Sequence, residues 1–178
     1  MLENFLLFIT PFRPKFSFKV IKNSNNLSAI TIAAIFFLTA LKIFCDFWLN
    51  KNYISNLTEL KTIVYLGGLS FGIILRVVVL GILVVNIINR IFNIPIDYGK
   101  GMAIVSISSL PLVVIPAILY YFHWNNFLFM GNVLSSMLIS FGITYIFNLD
   151  SKRMLGLTAA ILILIYFVKV LLYGIQTL

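Results

Sequence analysis

The chain has 178 residues, of which 61% are hydrophobic and 10% are charged, and its formal net charge is +8 at pH 7. Soluble domains average about 45–50% apolar and about 25% charged residues, so this composition excludes most soluble-enzyme classes and indicates a membrane protein. No basic helix or stacking-aromatic module accompanies the positive charge. We therefore attribute it to cytoplasmic loops and expect no nucleic-acid partner.

Residues 1–27 have the pattern of a basic and aromatic segment at the membrane interface. Its first apolar residues recur at spacings of three and four, as on one face of a short helix: Leu2, Phe5, Leu6 and Ile9. The cations that follow are interleaved with phenylalanines: Arg13, Lys15, Lys19 and Lys22. Such a segment suits the headgroup zone of an anionic leaflet. The alternative is a disordered arm that only sets the topology.

Five apolar runs fill residues 28–178, and each can cross a hydrocarbon core of about 30 Å as a helix. They cover about 28–49, 66–90, 102–122, 127–147 and 154–174. Ser28 is the predicted cap of the first helix, and Gly67–Gly68 is the predicted break ahead of the second. The sequence therefore predicts an all-α transmembrane bundle of five helices.

The Lys and Arg residues are sorted between alternate gaps of these runs. Eight fall on the side of the N-terminus: Arg13, Lys15, Lys19, Lys22, Arg90, Lys100, Lys152 and Arg153. Only Lys51 and Lys61 fall on the other side. Because cytoplasmic loops carry the excess of Lys and Arg, we predict a cytoplasmic N-terminus and a C-terminus on the opposite side.

Three cations lie inside the runs: Lys42, Arg76 and Lys169. A Lys or Arg at the centre of a membrane helix costs about 2.5–3.5 kcal/mol on insertion scales, so each needs a partner or a route to the interface. Asp46 lies one turn after Lys42, whereas Arg76 and Lys169 have no acid in a neighbouring turn. One hypothesis is a shared site for a lipid headgroup or another anion. The other is that the three side chains extend to the interface individually.

Two further runs have unusual composition. The third contains Pro111 and Pro116, which predict kinks, and nearby serines can pair with the carbonyls that the prolines leave free. The kinks are either a hinge or a fixed bend. The fourth carries a stripe of small residues, led by Gly131, Ser135 and Gly142, which favours close packing within the bundle or self-association.

The sequence shows no motif for catalysis, a metal or a cofactor. The five acids are scattered, so no carboxylate pair is evident, and none lies in the middle of a run. Cys45 is the only cysteine and His123 the only histidine, which argues against a metal site. We expect a protein that is not an enzyme and has no cofactor.

Two stretches in the second half resemble the Yip family of Rab-interacting integral membrane proteins, in its short bacterial form. The stretch Tyr98-Gly-Lys-Gly-Met-Ala-Ile-Val-Ser-Ile-Ser-Ser-Leu-Pro111 is similar to the family's entry into its third span. Met130-Gly-Asn, continuing to Asp150-Ser-Lys-Arg153, resembles its fourth span and the basic turn before the fifth. The resemblance covers roughly residues 60–175.

The chain departs from the eukaryotic members because it lacks their long cytoplasmic N-terminal domain and an Asp-Leu-Tyr-Gly-Pro motif. Rab binding is therefore not expected. The resemblance implies a non-enzymatic scaffold or accessory partner of membrane machinery, in contact with other membrane proteins or with its own copies, in the bacterial cytoplasmic membrane. The alternative hypothesis is a small transporter or channel subunit with a cationic site inside the membrane.

Overall fold

The computed structural model describes residues 14–176, and this part of the chain consists of helices joined by short turns, without a strand. Eight α-helices follow in order within it: α1 (Pro14–Asn23), α2 (Leu27–Leu49), α3 (Lys51–Ser55), α4 (Glu59–Ile91), α5 (Tyr98–Ser108), α6 (Leu110–Tyr121), α7 (Met130–Phe147) and α8 (Ser151–Gln176). The predicted apolar face of Leu2, Phe5, Leu6 and Ile9, together with Arg13, lies outside the described residues.

Five helical segments are long and apolar enough to cross a membrane, which confirms the predicted fold class. They are Leu27–Leu49, Glu59–Ile91, Tyr98–Tyr121, Met130–Phe147 and Ser151–Leu172. The third combines α5 and α6. Since no water is present in a bilayer core, these helices satisfy their backbone groups within each segment.

Two local predictions are wrong. Gly67 and Gly68 do not break the chain, because α4 is one helix of 33 residues, about 50 Å long. A glycine costs about 1 kcal/mol in a helix, whereas each backbone group left unpaired in lipid costs several kcal/mol, so the helix continues. The cap of α2 is Asn26 instead of Ser28: its Oδ1 accepts a hydrogen bond from the backbone N–H of Ala29 at 3.4 Å.

Helix α1 lies against the bundle by one face. Ser17, Phe18 and Ile21 are buried, while its lysines are exposed. The ring of Phe18 packs at a centroid distance of 6.0 Å from that of Phe141 on α7. The described part of the predicted interfacial segment is therefore an amphipathic helix whose apolar face is covered by protein.

Two ends of the bundle can be distinguished by their contacts. At one end, Leu27 lies beside Gly99, and Phe92 lies beside Gly156. At the other end, the rings of Trp48 and Tyr121 stack at a centroid distance of 4.7 Å. The first end carries the predicted cytoplasmic cations of the described residues; we call it the basic end, and the second the aromatic end. Between them, α4, α5, α7 and α8 share an apolar core: Val84, Val85, Ile104, Ile139, Ile143, Ile161 and Ile165.

Candidate functional site

A cleft of about 680 Å³ lies between α2, the first half of α4, the junction of α5 with α6, and α8. Lys42, Arg76 and Lys169 all line it. These are the three cations that the sequence places inside its apolar runs. The fold thus brings to one cleft three residues that are far apart in the chain.

The three cations lie at a similar level along their helices. Lys42 lies fifteen residues after the start of α2, and Arg76 lies fifteen residues before the end of α4. Lys169 lies eighteen residues after the start of α8. At 1.5 Å per residue, each lies about 22–27 Å from the basic end. Because α4 runs antiparallel to α2 and α8, equal counts from opposite helix ends correspond to one depth.

One of the three charges is neutralised locally. The Nζ of Lys42 lies 2.7 Å from Oδ1 of Asp46, one turn further along α2, as the sequence predicts from their spacing. The carboxylate is buried, since Asp46 is 7% exposed, whereas the side chain of Lys42 is 34% exposed. Lys42 therefore lines the cleft without adding a net charge to it.

Among the described residues, the guanidinium of Arg76 has one amide partner and no acidic partner. Its Nη2 donates to Oδ1 of Asn132 on α7 over 3.4 Å. Its Nε is buried and has no hydrogen-bond partner among the described residues. An unpaired buried charge is costly in a low-dielectric interior, so a nearby anion would stabilise this guanidinium.

Lys169 is in a different position, because its residue is exposed at the rim of the cleft. Among the residues described, Lys42–Asp46 is the only ion pair, and neither Arg76 nor Lys169 has a carboxylate partner. The residues that line the cleft include no acid. Two positive charges in this part of the bundle therefore remain without a counter-charge.

The rest of the cleft wall is mainly apolar. Its volume falls within the range of about 300–1,000 Å³ that is typical of small-molecule sites. Gly68 and Gly72 on α4 line it, and a Cβ added to either would meet no atom within 4 Å. The rim residues Val64 and Phe71 are exposed, so the cleft opens sideways. Such a shape suits an apolar chain that joins a charged group.

The proline-containing segment forms the third side of the cleft. The helical run is interrupted at Ser109, just before Pro111, while Pro116 lies inside a continuous α6. The Oγ of Ser109 donates to the carbonyl of Val105 at 2.7 Å, and Ser109 also lines the cleft. Ser106 and Ser108 are buried, but their hydroxyls have no partner among the described residues.

The small residues of α7 lie at contacts inside the bundle. A Cβ on Gly131 would come within 2.8 Å of the carbonyl oxygen of Pro111. A Cβ on Gly142 would come within 2.6 Å of the Phe18 ring. Ser135 is fully buried between these two positions. The stripe therefore faces α1, α5 and α6 of the same chain.

Sequence reasoning identified the cations but missed the surface that completes the cleft. Gly68 and Gly72 were not recognised as a wall, although glycines four residues apart in an apolar helix are a known pattern of close approach. The common depth of the cations could also have been predicted by counting residues to the helix ends. No pattern in the sequence indicated that Asn132 would meet Arg76.

Metal and thiol chemistry find no support in the arrangement. The described residues contain no group of three or more His, Cys, Asp or Glu side chains placed to hold a metal ion. Cys45 is a free, partly buried thiol on α2. His123 lies in the exposed turn after α6, with a backbone φ of 60°.

A family model described as the Yip1 domain matches residues 8–172, which is nearly the whole chain and more than the predicted resemblance covered. Comparison with curated proteins and with solved structures found no match.

Proposed function

The chain belongs to the Yip1 family of integral, multi-pass membrane proteins, and from this premise we propose that it is a non-enzymatic scaffold or accessory partner of membrane machinery that holds an anionic lipid in its cationic cleft. The family suggests a role of the trafficking type. We place the protein in the bacterial cytoplasmic membrane, with its N-terminus in the cytoplasm.

One observation carries the lipid part of this proposal: Lys42, Arg76 and Lys169 line a single cleft whose other walls are mainly apolar. A soluble anion would gain little from those walls. An amphiphile would use both features, because its chain would replace lipid along α4 while its headgroup met the cations. The sideways opening would let such a molecule enter from the bilayer.

The accessory part is supported by the first half of α4. The buried residues of this helix begin at Val77, and large apolar side chains before it are exposed: Leu60, Ile63, Val64, Phe71 and Ile74. In a membrane this surface can face lipid or another transmembrane helix. It is contiguous with the cleft, so a bound lipid would form part of what a partner contacts.

The test is to purify the full chain in a mild detergent and to analyse both the co-purifying proteins and the retained lipid. We expect a stoichiometric membrane partner and a bound anionic lipid, with less lipid on Lys169→Gln than on the wild type. Lys152→Gln is the matched control, because it removes a Lys at an exposed position near the start of the same helix. Equal loss in both variants, or no lipid on the wild type, would contradict the proposal.

A small transporter or channel subunit is the second candidate. It is favoured by the position of Arg76, Lys169 and Ser109 around the interruption of the third span. The apolar walls argue against a water-filled path for ions. Robust flux of an anion through liposomes that contain only the pure protein would support this candidate over the accessory role.

A further inference from the structure

Deepening the proposed function, on which this inference rests, we propose that the ligand of the cleft is an amphiphile ending in a doubly charged terminal phosphate, as in a lipid phosphomonoester. Membrane lipids with an ordinary phosphodiester headgroup carry a single negative charge on the phosphate. The two classes differ in one charge and in the number of free phosphate oxygens. The residues around the cleft discriminate between them.

The charge count is the first argument. Asp46 neutralises Lys42 at 2.7 Å, which leaves Arg76 and Lys169 as the two cations of the cleft without a counter-charge among the described residues. A phosphodiester would compensate only one of them, and leaving Arg76, whose Nε is buried, without a counter-charge is unfavourable. A terminal phosphate carries a charge of about −1.5 to −2 at pH 7 and would compensate both.

The geometry of Arg76 is the second argument. A guanidinium recognises phosphate by two parallel N–H bonds, which fixes its orientation as well as adding energy. Its Nη2 is held on Asn132, while the buried Nε has no partner among the described residues. Because Arg76 lines the cleft, a phosphate there would meet a guanidinium whose orientation is already set by Asn132. Three terminal oxygens allow one phosphate to accept from Arg76 and from Lys169 simultaneously.

The apolar wall of the cleft indicates what the rest of the ligand is. Inorganic phosphate would satisfy the charges but would leave the apolar wall around Leu38, Gly68 and Leu112 unused. That wall gives its binding energy only to an attached chain. The shared chemistry is therefore a terminal phosphate, and the chain distinguishes a lipid from the free ion.

The experiment is calorimetric titration of the detergent-solubilised full chain with four probes. They are dioctanoyl phosphatidic acid, dioctanoyl phosphatidylglycerol, dioctanoyl phosphatidylcholine and inorganic phosphate. The three lipids share their chains and differ in the headgroup. We expect phosphatidic acid to bind at least about tenfold more tightly than phosphatidylglycerol, and inorganic phosphate to bind more weakly than either anionic lipid.

The outcomes separate this inference from the function on which it rests. Equal affinity for phosphatidic acid and phosphatidylglycerol, both above phosphatidylcholine, would overturn the terminal-phosphate inference and leave the anionic-lipid function standing. No preference of either over phosphatidylcholine would overturn both. Inorganic phosphate binding as tightly as phosphatidic acid would show that the ligand is not an amphiphile.

Two variants keep the test independent of folding. Arg76→Gln should abolish the preference for phosphatidic acid, but it alters a partly buried side chain that joins two helices. Lys169→Gln changes an exposed position and should lower the ratio of the two lipid affinities toward one, with the melting temperature unchanged. Lys152→Gln should retain the full ratio. An unchanged ratio in Lys169→Gln would overturn the inference.

Discussion

Arg76 on α4 is joined to Asn132 on α7 by a hydrogen bond of 3.4 Å, although 56 residues separate them in the chain. Asn132 is 8% exposed, so the bond lies inside the bundle. It holds the guanidinium of Arg76, which lines the cleft, while the buried Nε has no partner among the described residues. The orientation of Arg76 thus depends on a neutral residue from another span.

Replacing Asn132 by Ala removes this support without changing any charge. Hydrogen bonds between membrane helices contribute about 0.6 kcal/mol on average, with about 1.7 kcal/mol as the upper end, so we expect a loss of about 1 kcal/mol in the free energy of unfolding. The measurement is thermal unfolding in detergent, with Asn126→Ala in the exposed turn as control. An Asn132→Ala protein as stable as this control would show that the bond has no structural weight.

Gly142 and Phe18 provide a second prediction, on the docking of α1. In Gly142→Ala, the new Cβ would lie 2.6 Å from Cε1 of Phe18 and 3.0 Å from Cγ2 of Ile104. Overpacking of this kind costs about 1–3 kcal/mol, which cancels or exceeds the roughly 1 kcal/mol gained by replacing a helical Gly with Ala. We expect faster tryptic cleavage after Lys19 and Lys22, because α1 would detach from the bundle.

The matched control is Gly156→Ala, whose Cβ would meet its nearest neighbour, Phe92, at 3.7 Å. That variant gains helix propensity without a clash and should resist trypsin as well as the wild type does. Phe18→Leu, combined with Gly142→Ala, should restore part of the protection. If Gly142→Ala alone were as resistant as the wild type, α1 would not be held by this contact.

The predicted topology can be tested with cysteines in loops at the two ends. In a Cys45→Ser background, Asn25→Cys lies between α1 and α2, and Asn126→Cys lies in the turn between α6 and α7; both positions are exposed. The positive-inside distribution predicts that a membrane-impermeant maleimide added to intact cells labels Asn126→Cys and not Asn25→Cys. The reverse pattern would place the basic end outside.

The terminal-phosphate inference makes binding dependent on pH in a defined direction. The second pKa of a phosphomonoester is near 6, so lowering the pH from 8 to 5 removes about one negative charge from the ligand. The charged and phenolic groups around the cleft are Lys42, Asp46, Arg76, Lys169 and Tyr65. These protein groups are the same for every lipid, so a change of affinity confined to phosphatidic acid locates the titrating group in the ligand.

We therefore expect phosphatidic acid to lose affinity as the pH falls, until it binds about as well as phosphatidylglycerol does. Phosphatidylglycerol, whose phosphodiester stays singly charged, should bind equally at both pH values and serves as the internal control. Calorimetric titration at pH 5 and pH 8 gives the measurement. A parallel loss for both lipids would locate the titrating group in the protein and contradict the inference.

Hydropathy was sufficient for the five spans because the bilayer imposes a length and an apolar composition on each helix. The cost of burying charge also made Lys42, Arg76 and Lys169 stand out. A partner could be predicted only for Lys42, because its contact with Asp46 lies within one helix. What a residue meets on its own helix follows from spacing alone.

Contacts between helices were not predictable in this way. Whether Arg76 meets Lys169 depends on how α4 and α8 rotate and cross, which is decided by packing over many residues. The same holds for Asn132 and for the wall formed by Gly68 and Gly72. The predicted break at Gly67–Gly68 failed for a related reason, because local propensity is outweighed in lipid by the backbone hydrogen bonds of a continuous helix.

The most direct test of a lipid in this cleft is to fill the cleft from its glycine wall. A Cβ added at Gly67, Gly68 or Gly72 meets no atom within 4 Å. Gly68 and Gly72 line the cleft and Gly67 does not, so Gly67→Leu adds the same side chain on the same helix outside the cleft. The measurement is the amount of phosphatidic acid retained per protein in native mass spectrometry. We expect at least about a tenfold loss, or about 1.4 kcal/mol, for Gly68→Leu and Gly72→Leu, and wild-type retention for Gly67→Leu. Equal retention by all three variants would contradict it.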